Sequence, residues 1–274
     1  MKATDKLKIK NNEGKFICVG LDTDINKIPP HLLKYENPIF EFNKAIIESC
    51  ADYAAAFKFN FAFYERNGFK LFDDLSKSLS LIPKDILVIA DAKRGDIGNT
   101  SEMYAKAILD DMNFDSITVN PYLGEDSVLP FLQNPEKLIF ILTLTSNSGS
   151  IDFEKIKLEN GKILFQHVIE KISSWNSKQN CGIVFGATNS QELQENIKLF
   201  GNLPVLLPGI GAQGGNLADV ISTFNSAGRK DFIINVSRSL IYKSNGNNFA
   251  EESMKEIINL NNQIDSLFNL KKNL

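Results

Sequence analysis

Residues 91–101 read Asp-Ala-Lys-Arg-Gly-Asp-Ile-Gly-Asn-Thr-Ser and follow the apolar run Ile86-Leu-Val-Ile-Ala90. A β-branched and aliphatic run that breaks into charges reads as a buried strand whose carboxyl end opens onto a site. Asp91 and Lys93 are two apart, so both project from one face of an extended chain. Asp96 lies at the following turn, where Gly95 and Gly98 let the backbone bend into a helix. An acid, a cation and a second acid crowded at one strand end can hold a positive charge beside a reacting atom and later release its proton. The same D-x-K-x-x-D spacing also occurs in plain surface ion-pair networks around a helix start, so the rest of the chain must decide.

Eight short apolar runs have the length and composition of strands: Phe16–Leu21, Ala54–Phe59, Ile86–Asp91, Ser116–Asn120, Leu138–Leu144, Cys181–Gly186, Pro204–Gly209 and Phe232–Val236. Helical patterns lie between them over Pro38–Cys50, Asn99–Met112, Lys162–Trp175, Gln191–Phe200 and Leu217–Phe224, with a final one over about 248–268. Strands alternating with helices imply right-handed crossovers and a parallel sheet, and eight such units imply an α/β protein, a single closed (β/α)8 TIM barrel. No linker or composition shift divides residues 1–274, so one domain is expected, with its core over 16–243 and one enlarged loop, Thr145–Gly161.

Composition narrows the function classes. With 274 residues, 43% hydrophobic and 23% charged, the chain can fill one large core. A net charge of −3 with 30 dispersed basic residues gives no nucleic-acid surface. The segment Met1–Lys15 is polar and Lys-rich, and no apolar run approaches the length of a membrane span, so a soluble cytoplasmic protein is expected. Cys18, Cys50 and Cys181, with only His31 and His167 as further ligands, match no zinc pattern and read as buried free thiols.

In a barrel the residues just past each strand share one face, which pools Asp22, Lys58, Asn60, Asp91, Lys93, Asp96, Asn120, Thr145–Asn147, Gly186, Pro208, Gln213 and Arg238. The stretch Pro208-Gly-Ile-Gly-Ala-Gln-Gly-Gly215 follows strand seven and Asn235-Val-Ser-Arg-Ser239 follows strand eight, the loops that commonly bind phosphate in such barrels. Arg238 adds a bidentate cation and Gln213 a flexible donor. Gly209-x-Gly211-x-x-Gly214 formally matches a dinucleotide fingerprint, but the acid that motif requires should end the next strand, and Asp231 precedes it.

Taken together, Val19-Gly-Leu-Asp22, Phe57-Lys-Phe-Asn60, Asp91-Ala-Lys-Arg-Gly-Asp-Ile97, Thr118-Val-Asn-Pro-Tyr122, Thr145-Ser-Asn147, Gly186-Ala-Thr188, Pro208–Gly215 and Ser237-Arg-Ser239 resemble the orotidine 5′-phosphate decarboxylases, in the subfamily carrying D-A-K-R-G-D-I. The resemblance runs from about residue 16 to 243 and departs at Ser148-Gly149, where it implies Pro-Gly. It implies a homodimer, no metal or organic cofactor, and conversion of orotidine 5′-monophosphate to uridine 5′-monophosphate in pyrimidine biosynthesis. It further implies that Lys58, Asp91 and Lys93 form a charged network and that Asp96 and Thr100 reach into the partner subunit's site. Asp22 with Lys58 would hold ribose hydroxyls, with Asn60 beside them. Ser146 would meet the pyrimidine edge, and Gln213 and Arg238 would grip the phosphate beside Pro208 and Gly214.

The chemistry agrees with the residues. Loss of CO2 from pyrimidine C6 leaves a carbanion with no acceptor for its electrons, so a fixed cation beside that carbon is needed, and Lys93 supplies one. Three other readings use the same residues: a Mg²⁺-dependent sugar-phosphate barrel, a Schiff-base aldolase on Lys58 or Lys93, and a non-catalytic phosphosugar-binding barrel.

Overall fold

In the computed structural model, which describes residues 1–66, 68–210 and 214–270, the apolar runs form eight parallel strands. These are β1 (Ile17–Gly20), β2 (Ala56–Asn60), β3 (Leu87–Arg94), β4 (Ser116–Val119), β5 (Leu138–Leu144), β6 (Cys181–Phe185), β7 (Val205–Pro208) and β8 (Phe232–Val236). They close a barrel in chain order, with Cys18 of β1 opposite Asn235 of β8. The expected (β/α)8 architecture is therefore the one observed.

The helices are α1 (Ala3–Asn12), α2 (Pro38–Cys50), α3 (Phe61–Glu65), α4 (Phe69–Ser80), α5 (Gly98–Ala105), α6 (Glu125–Val128), α7 (Leu164–Trp175), α8 (Ser190–Asn196), α9 (Leu217–Ser226), α10 (Arg238–Ile241) and α11 (Phe249–Leu270). α2 begins at a proline, whose fixed φ and missing N–H suit the first helical position. The helix expected over Asn99–Met112 is α5 followed by a π turn, Lys106–Asp111, closed by Met112 N–H on Ala107 O. α7 starts later than expected because Lys157 and Ile163 form an antiparallel bridge, and Gln166 Oε1 then accepts from Ile163 N–H at 2.9 Å.

α1 was not expected, because its lysines hide its apolar face. Ala3 and Leu7 join Cys18, Ala56, Ile89, Phe140, Val184, Leu206 and Ile233 in the cluster that fills the barrel. Lys6 holds Asp115 at 2.8 Å, Lys10 holds Asp85 at 2.5 Å, and Asn11 Nδ2 donates to Phe232 O at 3.0 Å. The lysine stems lie along the barrel floor while their ammonium groups find carboxylates. α1 is thus a plug at the amino-terminal end of the strands, and the opposite end stays open for chemistry.

A second apolar layer packs between strands and helices, where Phe16 stacks on Phe232 at 4.8 Å and meets Phe268 of α11 at 5.4 Å. Each such ring contributes about 1.5–3 kcal/mol by burial. Cys18, Cys50 and Cys181 are buried free thiols, and among the described residues no helix is long and apolar enough to cross a membrane.

Candidate active site

At the carboxyl ends of β1–β3 four charges form a row. Lys58 Nζ sits 3.5 Å from Asp22 Oδ1 and 2.8 Å from Asp91 Oδ2, and Lys93 Nζ lies 2.5 Å from Asp91 Oδ1. Burial works against the charge on Lys58, but Asp22 and Asp91 outweigh it and raise its pKa well above the usual lysine value. Burial likewise works against ionised Asp91, yet Lys58 and Lys93 hold its carboxyl well below the usual carboxylate range. Both groups are therefore charged at neutral pH. The Lys58 and Asp91 side chains are 4% and 11% exposed, whereas that of Lys93 is 51% exposed. The row thus ends at the solvent side in a cation. Beneath it, burial pushes the Cys18 thiol up to about 12, so that group stays neutral.

Lys93 reaches this place through an irregular strand. Ala90 pairs with Ile117 and Arg94 with Val119, so Asp91, Ala92 and Lys93 lie opposite Thr118 alone. Lys93 has φ 47°, in the left-handed region that a non-glycine residue adopts at a cost. Arg94, which carried no role in the sequence, ion-pairs with Glu65 and stands over the rings of Phe61 and Tyr104, at 5.8 and 5.2 Å. It anchors the end of β3 to α3 and α5.

Loop 1, which carries Asp22, is fixed from behind. Tyr64 donates to Leu21 O at 3.0 Å, and Thr23 donates to Asn43 at 2.6 Å. Tyr242 donates to Asp22 O at 3.1 Å and accepts from Asp24 N–H at 2.7 Å. Asn60 Oδ1 caps α3 by accepting from Ala62 N–H at 3.3 Å, so the strand–helix turn sets its direction.

Ser146 sits on a clamped loop. Glu154 accepts from Thr145 N–H at 2.7 Å, Asn189 Nδ2 donates to Thr145 O at 3.0 Å, and Thr188 donates to Ser146 O at 3.2 Å. The loop presses on Gly186, where a Cβ would fall 2.7 Å from Ser146 N, so only glycine fits. Ser148 opens a 3₁₀ turn, Ser148–Asp152, after an extended Asn147 with ψ 155°. An extended residue followed by the first position of a helical turn is a backbone that proline also favours, so the turn accommodates either residue at 148.

Beyond β7, Pro208 O accepts from Ala187 N–H at 2.8 Å, and Gly215 N–H donates to Gly209 O at 3.0 Å. Gly209 and Gly214 have φ 107° and 84°, values that glycine adopts freely. Gln213 lies outside the described residues. Arg238 opens α10 directly after β8; it is exposed, and its guanidinium makes no hydrogen bond or ion pair among the described residues. Tyr242 follows one turn later, so its hydroxyl ties loop 1 to the segment after β8.

The structure brings Asp22, Lys58, Asp91 and Lys93 together but not Asp96 and Thr100. Asp96 Oδ1 accepts from Ile97 N–H at 2.8 Å and makes no ion pair among the described residues, and Thr100 is exposed on the first turn of α5. Neither bonds to a member of the row. Sequence reading gave Thr118 no role beyond its place in the Thr118–Tyr122 motif, and it missed Tyr242, Glu154 and Asn189. Spacing could have given Thr118 a role, since it lies two residues before Asn120, a pooled residue just past β4; the others carry no local signal.

The chain matches the orotidine 5′-phosphate decarboxylase / HUMPS family over residues 15–252. The orotidine 5′-phosphate decarboxylase of Flavobacterium johnsoniae is 44% identical over 259 residues, which span 93% of this chain and 94% of that protein. The solved structure of Leishmania donovani OMP decarboxylase is 32% identical with a TM-score of 0.81, over 95% of this chain and 99% of that one. Leishmania donovani UMP synthase is 35% identical with a TM-score of 0.83 over 95% of this chain, which spans 57% of that longer one. With fold, site and sequence in agreement over most of its length, the chain belongs to the orotidine 5′-phosphate decarboxylase / HUMPS family.

Proposed function

We propose that the chain is an orotidine 5′-phosphate decarboxylase, converting orotidine 5′-monophosphate to uridine 5′-monophosphate and CO2 without a metal or organic cofactor. One observation carries the reading: the row Asp22–Lys58–Asp91–Lys93 has its inner charges compensated and ends in one solvent-open ammonium. Its family relatives bear that name at 44–47% identity. The space between Asp22 and Asp91 is filled by the Lys58 ammonium, which already neutralises the carboxylates a sugar-phosphate enzyme would offer to Mg²⁺.

In the step proposed, the bond from C6 to the carboxylate breaks, CO2 leaves, and the electron pair stays on C6. Lys93 stabilises that carbanion and transfers an ammonium proton to it. Asp91 would lie near the departing carboxylate, where two carboxylates about 4 Å apart repel by about 4 kcal/mol at an effective dielectric near 20. Enzymes lower barriers by about 8–23 kcal/mol, so this repulsion is the smaller share. Lys58 keeps Asp91 ionised and, with Asp22 and Asn60, faces the ribose. Ser146 meets the pyrimidine edge. Gln213 and Arg238 bind the phosphate beside Pro208 and Gly214, and that binding energy is used in the transition state.

Asp96 and Thr100 serve the site of a second copy in this reading. The surface beside them supports it: Ile97, Met103, Tyr122, Ile151 and Phe153 are each more than half exposed. Ser101 donates to Ser127 O at 2.7 Å, which ties α5 to α6, and the Tyr122 and Phe153 rings meet at 6.2 Å. The test of function is loss of the ultraviolet absorbance of orotidine 5′-monophosphate in the presence of EDTA. Turnover that withstands the chelator supports the proposal; no turnover, or turnover that the chelator abolishes, overturns it.

A further inference from the structure

Where β3 bulges, the ladder cannot satisfy the backbone, and one side chain takes its place. Three residues of β3 lie opposite Thr118, so the Lys93 N–H has no carbonyl on β4 to meet. Thr118 Oγ1 accepts from that N–H at 3.0 Å and donates its own proton to Asp91 Oδ1 at 3.0 Å. Asp91 Oδ1 also receives the Lys93 ammonium, at 2.5 Å, while Oδ2 receives Lys58, at 2.8 Å. The hydroxyl therefore fixes the plane of the Asp91 carboxylate and the left-handed backbone of Lys93 at once. Thr118 is 1% exposed, so water does not compete for either bond.

We infer that Thr118 is a positioning residue for the Asp91–Lys93 pair, acting through these two bonds and not through substrate. A threonine in this place could be a simple strand former, valued for its β-branched shape. That reading predicts that valine, with the same shape, works as well and that serine works worse. A positioning hydroxyl predicts the reverse order. The inference rests on the decarboxylase reading for its kinetic arm only.

The experiment compares Thr118→Val and Thr118→Ser with the unaltered chain. Loss of a hydrogen bond to a charged group, together with an unpaired backbone N–H, should lower kcat about ten- to a hundredfold in Thr118→Val. KM should stay within about threefold, since the hydroxyl touches no substrate, and Thr118→Ser should keep most of kcat. Hydrogen exchange gives a second readout that needs no turnover: the Lys93 amide should exchange at least about tenfold faster in Thr118→Val than in Thr118→Ser. If Thr118→Val does not fold, Thr118→Ala is held to the same criteria. An unaltered chain that fails to decarboxylate defeats the functional reading, and the exchange measurement then decides on Thr118. Equal kcat in Val and unaltered chains, a serine variant as impaired as valine, or equal Lys93 exchange in both overturns the inference.

Discussion

Replacing Lys93 by alanine separates catalysis from folding more sharply than any other change in the row. The Lys93 side chain is 51% exposed, so its ion pair with Asp91 is one that water screens, worth about 0–1 kcal/mol to the fold. Asp91 keeps Lys58 at 2.8 Å and Thr118 at 3.0 Å after the change, so no buried charge is stranded. The catalytic loss is of another order. An ammonium about 3 Å from a carbanion, at an effective dielectric near 20, is worth about 5–6 kcal/mol, a factor of about 10⁴ in rate. Lys93→Ala should therefore lower kcat by about that factor, leave binding of uridine 5′-monophosphate measurable by calorimetry, and shift Tm by only a few degrees. The assay is the ultraviolet absorbance of orotidine 5′-monophosphate under EDTA. A kcat within tenfold of the unaltered chain would refute the assignment of Lys93, and a Tm drop beyond about 10 °C would show that its weight is structural.

Three further outcomes are expected. Arg238→Ala should greatly weaken turnover of orotidine 5′-monophosphate and scarcely change the slow reaction of orotidine, which has no phosphate to grip; equal losses for both would mean that Arg238 supports the fold. The Asp91 carboxyl is held below its unfolded pKa, so below about pH 4 the unfolded chain binds the proton that the native chain refuses, and stability falls as pH drops. Urea midpoints should then decline more steeply from about pH 4 downward in the unaltered chain than in Asp91→Asn, and parallel slopes would contradict this. Lys93→Ala and Asp96→Ala chains, each nearly inactive, should recover about a quarter of the sites when unfolded and refolded together, because half the dimers are mixed and each holds one intact site. Mixed dimers by native mass spectrometry without recovered activity would place Asp96 in its own chain's service.

The barrel was legible because each strand is short, β-branched and bounded by a break in polarity, and because parallel crossovers leave one closed arrangement for eight of them. Pro38 and the close of the Pro38–Cys50 pattern located α2 to the residue. α1 was not legible, because Lys6 and Lys10 look like solvent-facing residues until Asp115 and Asp85, distant in the chain, come to meet them. The same reason hid Tyr242, and Glu154 was hidden inside the long loop after β5. Tyr242 acts on the backbone of a loop 220 residues away, and Glu154 folds its own loop back onto Thr145 N–H; nothing in the local sequence marks either partner.

The pairing of Asp91 with Lys93 shows how the site goes beyond strand periodicity. Two positions along a regular strand put side chains on one face about 6.6 Å apart, a spacing that favours an alternating surface over a tight contact. Here the strand bulges at that step, Lys93 turns to φ 47°, and its ammonium comes to 2.5 Å from Asp91 Oδ1. The bulge also carries β3 on to Arg94, whose ion pair with Glu65 and ring contacts hold the irregular segment in place. A regular strand would have been more stable and would have left the lysine farther from its carboxylate. The backbone strain at Lys93 is thus part of what aims the cation, and Thr118 and Arg94 are the groups on either side that keep it from relaxing.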